Sequence, residues 1–362
     1  MEEVEYLILS PEKKEHNNDL IINSSELHKI YNINSKRSPI VLEYEYGGLL
    51  KYESVFSVIL KQGKVLGTQG MIPIIITSDG KEYLTGKSET TLIDETIRGK
   101  GYFSDFYELS VRESSRNGMV CLWGFTKALK ALKRVKFTTY PGAMKWCICP
   151  IRKETTKDLI KNIYKDKHII VKGIIISLMY SYLIYVKLLH KRKYKVGMYV
   201  KSMKNKNDLI LFYKRLLKRY SKYIYITPNN KFINWRINNN PSKRIITEYF
   251  YRGDQLYAYL FYSIENNVLR LISFHYLDDE YSKMILGRII QLINYNKIGF
   301  VFYTGNFKNR LIYKNMKLLK KIGFNCINRS STFIYRDISG TYFNNMNEIK
   351  NWLIDDLWME EL

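Results

Sequence analysis

The sequence predicts an α/β (α+β) protein of two similar domains, each a mixed, mostly antiparallel sheet flanked by helices, with a basic helical insertion between them. Three observations predict it. A meander of apolar strand-like runs leads into a strand–turn–helix unit around residues 93–104. The same order of elements recurs in the second half of the 362-residue chain, whose length already favours two domains over one. Between the halves lies a Lys- and Arg-rich stretch. The expected divisions are 1–150, 151–225 and 226–362.

In the first domain, Val55–Lys61 and Val65–Ile76 read as strands joined at Gln62-Gly63-Lys64, and a turn at Ser78-Asp79-Gly80 leads into a strand over Tyr83–Ile93. A helical pattern follows from Phe103 (Phe106, Tyr107, Leu109, Ser110, Val111). Gly118–Phe125 reads as a buried strand, and Lys127 to about Lys136 as a short basic helix.

The junction Arg98-Gly99-Lys100-Gly101 falls where that first helix begins. Glycines leave backbone N–H groups uncovered, the helix dipole favours negative charge, and Arg98 and Lys100 add two cations. This combination suits a pyrophosphate.

The order of meander, phosphate turn, helix, strand and helix resembles the GNAT superfamily of acyl-CoA N-acyltransferases. Its signature is Arg/Gln-x-x-Gly-x-Gly/Ala, which Arg98-Gly99-Lys100-Gly101-Tyr102-Phe103 matches except that Phe103 stands in the last place. The resemblance implies that backbone amides from Gly99 through Lys100, Gly101, Tyr102 and Phe103 to Ser104 hold the pyrophosphate of coenzyme A. It also implies that the backbone of Leu92 and Ile93 pairs with the pantetheine arm, and that acyl-CoA, acetyl-CoA for preference, is the co-substrate.

The second half repeats the order. Asn207–Tyr223 has amphipathic helical spacing, and a short helix around Phe232–Asn240 ends at Pro241. Strands are expected at Arg244–Tyr251, Gln255–Ile264 and Val268–Leu277, then a helix capped by Asp278-Asp279 and running to about Tyr295. A strand over Gly299–Thr304, a helix over Phe307–Ile322 and a closing strand over Asn325–Tyr335 complete it. Lys321-Ile322-Gly323-Phe324 is similar to the Lys-x-Gly-Phe ending of the family's last helix. Where the first domain has its basic turn, the second has Asp278, Asp279 and Glu280, which cap a helix well and repel a pyrophosphate. Only the first domain is expected to hold coenzyme A.

Candidate catalytic groups follow from the chemistry. The attacking amine loses a proton and the leaving thiolate gains one. Glu89, on the strand before the turn, is the candidate base, beside the reading of an exposed strand carboxylate. Asp94 and Glu95 lie at the strand end, where a solvated turn is the alternative. The family's thiolate donor is a Tyr near the end of its last helix. Here Leu132 stands in that place and Lys127 where the family carries Asn, so Tyr140, next to Pro141-Gly142, is the substitute candidate. His275, ending a strand of the second domain, is either a core residue or a cleft residue.

The net charge of +24 is concentrated, since residues 152–222 carry 20 basic and 4 acidic side chains. Within that segment the uncharged run Gly173–Val186 is shorter than the roughly 20 residues that span a bilayer. It reads as a buried helix or as a Tyr-rich helix in a membrane interface, with peripheral contact through 168–195. Four cysteines at irregular spacing do not make a disulfide framework, Cys147-Ile148-Cys149 lacks a second ligand pair for a metal, and the acidic start (Glu2, Glu3, Glu5) does not resemble a secretory signal. A cytoplasmic location, with or without membrane association, is expected. The function expected is acyl transfer to an amine of a small molecule or amino sugar. A Fem-type aminoacyltransferase using aminoacyl-tRNA is the alternative that the positive charge favours, and a non-catalytic membrane-docking protein the third.

Overall fold

The computed structural model describes residues 4–9, 14–31, 38–46, 54–154, 169–191, 194, 197–218, 220, 222–241, 244–328, 331–340 and 345–358. In chain order the elements are β1 (Glu5–Ile8), α1 (Lys14–Ile30), α2 (Pro39–Tyr46), β2 (Val55–Lys61), β3 (Lys64–Ser78), β4 (Lys81–Ile93), α3 (Tyr102–Arg116), β5 (Cys121–Thr126), α4 (Leu129–Arg134) and β6 (Thr138–Tyr140). Then come β7 (Met144–Pro150), α5 (Ile169–His190), α6 (Asp208–Leu217), β8 (Tyr225–Ile226), α7 (Asn230–Ile233), β9 (Ile246–Arg252), β10 (Gln255–Glu265) and β11 (Val268–Tyr276). The last are α8 (Asp279–Tyr295), β12 (Phe300–Asn306), α9 (Arg310–Lys320), β13 (Asn325–Asn328) and β14 (Thr332–Asp337). The fold class is the expected mixed, mostly antiparallel α/β architecture with two sheets.

The chain forms two compact units, each discontinuous in sequence. One comprises 1–141, 221–244 and 330–351, the other 142–220, 245–329 and 352–362. The first sheet runs β1-β2-β3-β4-β5-β14-β6 with β8 on β3, and the second runs β13-β7-β12-β11-β10-β9. Three strands thus leave the part of the sequence in which contiguous reading put them, β8 joining β3 in the first sheet. Met144–Pro150 pairs with β12 and β13 in the second sheet, and Thr332–Asp337 inserts between β5 and β6 in the first. The single closing strand expected over Asn325–Tyr335 is therefore two strands in different sheets. An alternating apolar pattern shows that a run is a strand, but not which edge it joins.

In the first unit α3 lies on the sheet, burying Tyr107 and Val111 against Met71, Leu122, Phe137 and Ile334. On another face, Leu27 of α1 and Leu42 of α2 pack with Phe56, Val58 and Leu92. Each large apolar side chain so buried contributes about 1.5–3 kcal/mol.

In the second unit α5 packs one face of its described C-terminal half. Tyr182 Oη donates to the Gly323 carbonyl at 2.7 Å, His190 Nε2 to that of Ile322 at 2.9 Å, and Val186 sits where a Cβ on Gly323 would fall. Gly323, at φ +90°, ends the turn after α9, which explains the glycine in Lys321-Ile322-Gly323-Phe324. Leu178, Ile184, Tyr185 and Leu188 are exposed on the other face, while Leu183 and Val186 are buried, so the described part of the run 173–186 has one covered and one uncovered face. No helix among the described residues is long and apolar enough to cross a membrane.

Cys147 and Cys326 face each other on β7 and β13, with Cα atoms 4.0 Å apart, and are joined by a disulfide. The irregular cysteine spacing hid this pair, because the strand that brings Cys147 to Cys326 crosses between the sequence halves.

Candidate active site in the first unit

β4 and β5 run parallel over three rungs only, Gly86–Leu122, Lys87–Trp123 and Ser88–Gly124. They part after the third. A Cβ on Gly124 would lie 2.7 Å from the Ser88 carbonyl oxygen, so the last rung needs glycine for its close approach. Beyond it β4 bulges: Thr90 and Thr91 together oppose Gln69 of β3, and Thr90 has φ +53°. That conformation is costly for a β-branched residue, and a polar net holds it. Thr68 Oγ1 donates to the Thr90 carbonyl at 2.7 Å and accepts from His28 Nε2 at 2.9 Å. Tyr46 Oη bonds Thr90 Oγ1 at 2.8 Å, while Gln69 takes Thr91 Oγ1 and donates to Ser88 Oγ at 3.2 Å.

Past the bulge, Leu92 pairs with Thr68 and Ile93 with Gly67. Asp94 then begins a single 3₁₀ turn, Glu95–Ile97, accepting from both the amide and the hydroxyl of Thr96. Burial acts to raise the Asp94 pKa, but the Thr96 hydrogen bonds, Tyr31 and the charge of Lys64 outweigh it and hold the pKa below the usual value. Asp94 is thus an ionised cap. Glu95 is exposed, and its amide donates to Tyr31 Oη at 2.7 Å.

The turn itself is open. Arg98 lies over the Tyr31 ring at 5.0 Å and donates Nε to the Ile93 carbonyl at 2.8 Å, which engages one carbonyl expected to pair with a ligand. Gly99 and Gly101 have φ +78° and +90°, and space around both is empty. The amides of Gly99, Lys100, Gly101, Tyr102 and Phe103 have no acceptor among the described residues, while that of Ser104 reaches the Gly101 carbonyl at 3.3 Å. Five amides without an acceptor among the described residues therefore lie at a helix N-terminus beside the exposed Arg98 and Lys100. Phe103 turns inward onto Tyr107, 5.4 Å between ring centroids, and leaves them clear.

Glu89 is half-buried and forms an ion pair with Lys87, itself fully buried on the same face of β4. Burial lowers the Lys87 pKa while Glu89 raises it, and the buried Glu45 and Arg236 add their charges nearby. Tyr140 is elsewhere. It sits on β6, three strands from β4 and so about 14 Å away at the usual spacing. Its hydroxyl donates to the Asn347 carbonyl at 2.7 Å, and burial pushes its pKa up to about 12. Tyrosine hydroxyls that do touch β4 where it parts from β5 are Tyr107, on Ser88 at 2.6 Å, and Tyr46 on Thr90. Sequence reading missed Thr90, His28, Tyr46 and Lys87. Only Lys87 left a signal, a lysine two residues from a glutamate inside a buried strand.

The second unit repeats this plan with a difference. β11 and β12 are parallel over Val268–Leu271 and Phe300–Tyr303 and then part. Here the chain's own segment 352–358 bonds both strands: Asn306 N donates to the Ile354 carbonyl at 2.9 Å, Ser273 Oγ to Asp355 Oδ2 at 2.5 Å, and Arg270 to Asp356. Asp278 caps α8, and Arg252 pairs with Asp278 and Glu280.

Among solved structures, a probable N-acyltransferase from Enterococcus faecalis matches with TM-score 0.59 at 11% identity, over 93% of this chain and 73% of that one. This is the GNAT fold, in tandem. A GCN5-related N-acetyltransferase from Anabaena variabilis, another GNAT-fold protein, gives TM-score 0.57 at 13% identity, over 93% and 73%. Saccharomyces cerevisiae N-myristoyltransferase with bound myristoyl-CoA gives 0.59 at 10%, over 93% and 79%. Neither a family model nor a curated protein matches the sequence. At these identities the likeness establishes the GNAT fold.

Proposed function

We propose that the chain is an N-acyltransferase that takes its acyl group from an acyl-CoA bound in the first unit. The observation that carries the reading is the parting of β4 and β5 at Ser88–Gly124, continuous with the five unengaged amides of the 98–104 turn. The pyrophosphate rests on those amides with Arg98 and Lys100 beside it, and the pantetheine arm lies along Leu92 and Ile93. The thioester then reaches the gap beside the bulge. An amine attacks the thioester carbon, so that a C–N bond forms and the C–S bond breaks. Glu89, ion-paired with Lys87, accepts the ammonium proton. The sulfur departs as the coenzyme A thiolate and takes its proton from solvent, Tyr140 being three strands from β4 and left out of this step. The filled gap and acidic helix start of the second unit favour a single loaded site.

Thermal stabilisation of the intact chain tests this, with acetyl-CoA and myristoyl-CoA as separate probes. A saturable rise in Tm with either probe, abolished by Arg98→Glu, is expected. No rise with either, together with a salt-sensitive gel shift by tRNA, overturns it in favour of the aminoacyl-tRNA reading.

A second reading concerns location. Leu178, Ile184, Tyr185 and Leu188 form an exposed apolar stripe on α5, with Lys187 and the following Lys191 exposed beside it. An anionic bilayer surface complements that stripe in polarity and in charge. Co-flotation with phosphatidylserine-containing vesicles, lost on Ile184→Glu and absent with neutral vesicles, is the expected result. Equal behaviour with both vesicle types overturns it.

A further inference from the structure

The second unit holds a cavity of about 540 Å³ between α6, the adjoining ends of β10 and β11, and α9. This is the size of a small-molecule pocket. We propose that it binds a small molecule bearing an oxyanion, a carboxylate or a phosphate, at a site separate from the 98–104 turn.

The charges that line it are mainly positive, and Arg215 and Lys218 meet no carboxylate in ion-pair range among the described residues. Arg215, Lys218 and Lys314 line the cavity. Arg215 donates Nη1 to Gln255 Oε1 at 3.0 Å and Nη2 to the Leu256 carbonyl at 2.5 Å, and lies 5.6 Å from the Tyr257 ring centre. All three partners are uncharged. Lys314 lies 5.0 Å over the Tyr276 ring, and the carboxylate it meets, on exposed Asp279, is 3.8 Å away. Exposed Lys218 has no carboxylate in ion-pair range among the described residues. The carboxylate in the lining, Asp278, already accepts the Tyr281 amide at 3.1 Å and pairs with Arg252. Aromatic faces and neutral carbonyls hold cations in place yet leave their field intact.

The floor is polar and buried. His275 and Asn315 line it, each only 2% exposed. Asn315 Nδ2 donates to the Phe274 carbonyl at 2.8 Å and approaches His275 Nδ1 at 3.4 Å. With Nδ1 accepting, the neutral imidazole carries its proton on Nε2. Nε2 is inaccessible and lies 3.8 Å from Asp355 Oδ2, a group outside the cavity lining, so this nitrogen is not offered to the ligand. Ordered cations on the walls of a cavity of this size fit an oxyanion. The gap between β11 and β12 is filled by residues 352–358, so this cavity does not continue an acyl channel.

Calorimetric titration of the intact Arg98→Glu chain tests the proposal, because that change removes the first unit's turn from the measurement. Inorganic phosphate and benzoate are titrated separately at constant ionic strength set by chloride. Saturable binding of at least one, weakened tenfold or more by Arg215→Gln with Lys314→Gln, is expected. Binding of phosphate alone assigns a phosphate ligand, and of benzoate alone a carboxylate. Lys218→Glu, at an exposed position that leaves folding intact, should weaken the same binding severalfold. Absence of saturable binding by both anions, or binding indifferent to all these substitutions, overturns the proposal and leaves the acyl-CoA reading untouched.

Discussion

Ser88 and Gly124 form the last rung between β4 and β5, and the Ser88 carbonyl oxygen occupies a position 2.7 Å from where a Gly124 Cβ would be. The contact sets where the sheet splits. Gly124→Ala must push the strands apart one rung early, at a cost of about 1–3 kcal/mol for overpacking. A lower Tm and a loss of acyl-CoA stabilisation are expected together. Unchanged melting would mean that the strands yield freely at this rung.

Lys87 and Glu89 are expected to behave as a pair. Lys87→Met leaves a half-buried carboxylate without its cation and should cost about 3–5 kcal/mol. Lys87→Met combined with Glu89→Gln should recover much of that loss, measurable by denaturant unfolding in a double-mutant cycle. Glu89→Gln alone should retain acyl-CoA stabilisation while lowering acyl transfer. Transfer at the parent rate would remove Glu89 as the base.

Gly101 precedes α3 at φ +90° with nothing near its Cβ direction. Alanine there is strained by backbone alone, so Gly101→Ala should destabilise the turn by about 1–2 kcal/mol. Weaker stabilisation by acyl-CoA should accompany a small fall in Tm.

The buried pair His275 and Asp355 makes opposing contributions to stability against pH. Burial lowers the His275 pKa to about 3, and burial raises that of Asp355 to about 7 against the hydrogen bonds from Ser273 and the Leu357 amide. The depressed histidine contributes stability present above its unfolded value near 6.5, lost as pH falls toward 3. The raised carboxyl contributes stability present at low pH, lost as pH rises from about 4 through 7. Between pH 4 and 6.5 the two largely cancel. Relative to the parent, Asp355→Asn should therefore show stability rising with pH in that window, by up to about 1.4 kcal/mol per unit for one proton. Unfolding free energies at several pH values give the slope, and a parallel pair of curves would contradict it.

Much of the site's frame was legible in the residues. Val55–Lys61 coincides with β2, Gln255–Ile264 falls within β10, and the helix capped at Asp278 runs to Tyr295 as expected, because apolar period and turn chemistry are local. The 98–104 turn was legible for the same reason, since paired glycines mark backbone that bends into positive φ. Tyr140 was not placeable by chain distance, because β14 from the far end of the sequence lies between β5 and β6. His28 reaches Thr68 across forty residues, and no local pattern announces such a contact.

The sequence by itself determined the two α/β repeats, the basic turn between β4 and α3, and the acidic helix start that replaces it in the second repeat. Those features depend on hydrophobic period, glycine dihedral freedom and charge, which short segments carry alone. Tertiary structure decided which sheet received β7 and β14, how Thr90 is held in its bulge, and that residues 352–358 fill the second gap. Each of these depends on hydrogen bonds between segments distant in sequence, whose partners are chosen only when the whole chain packs.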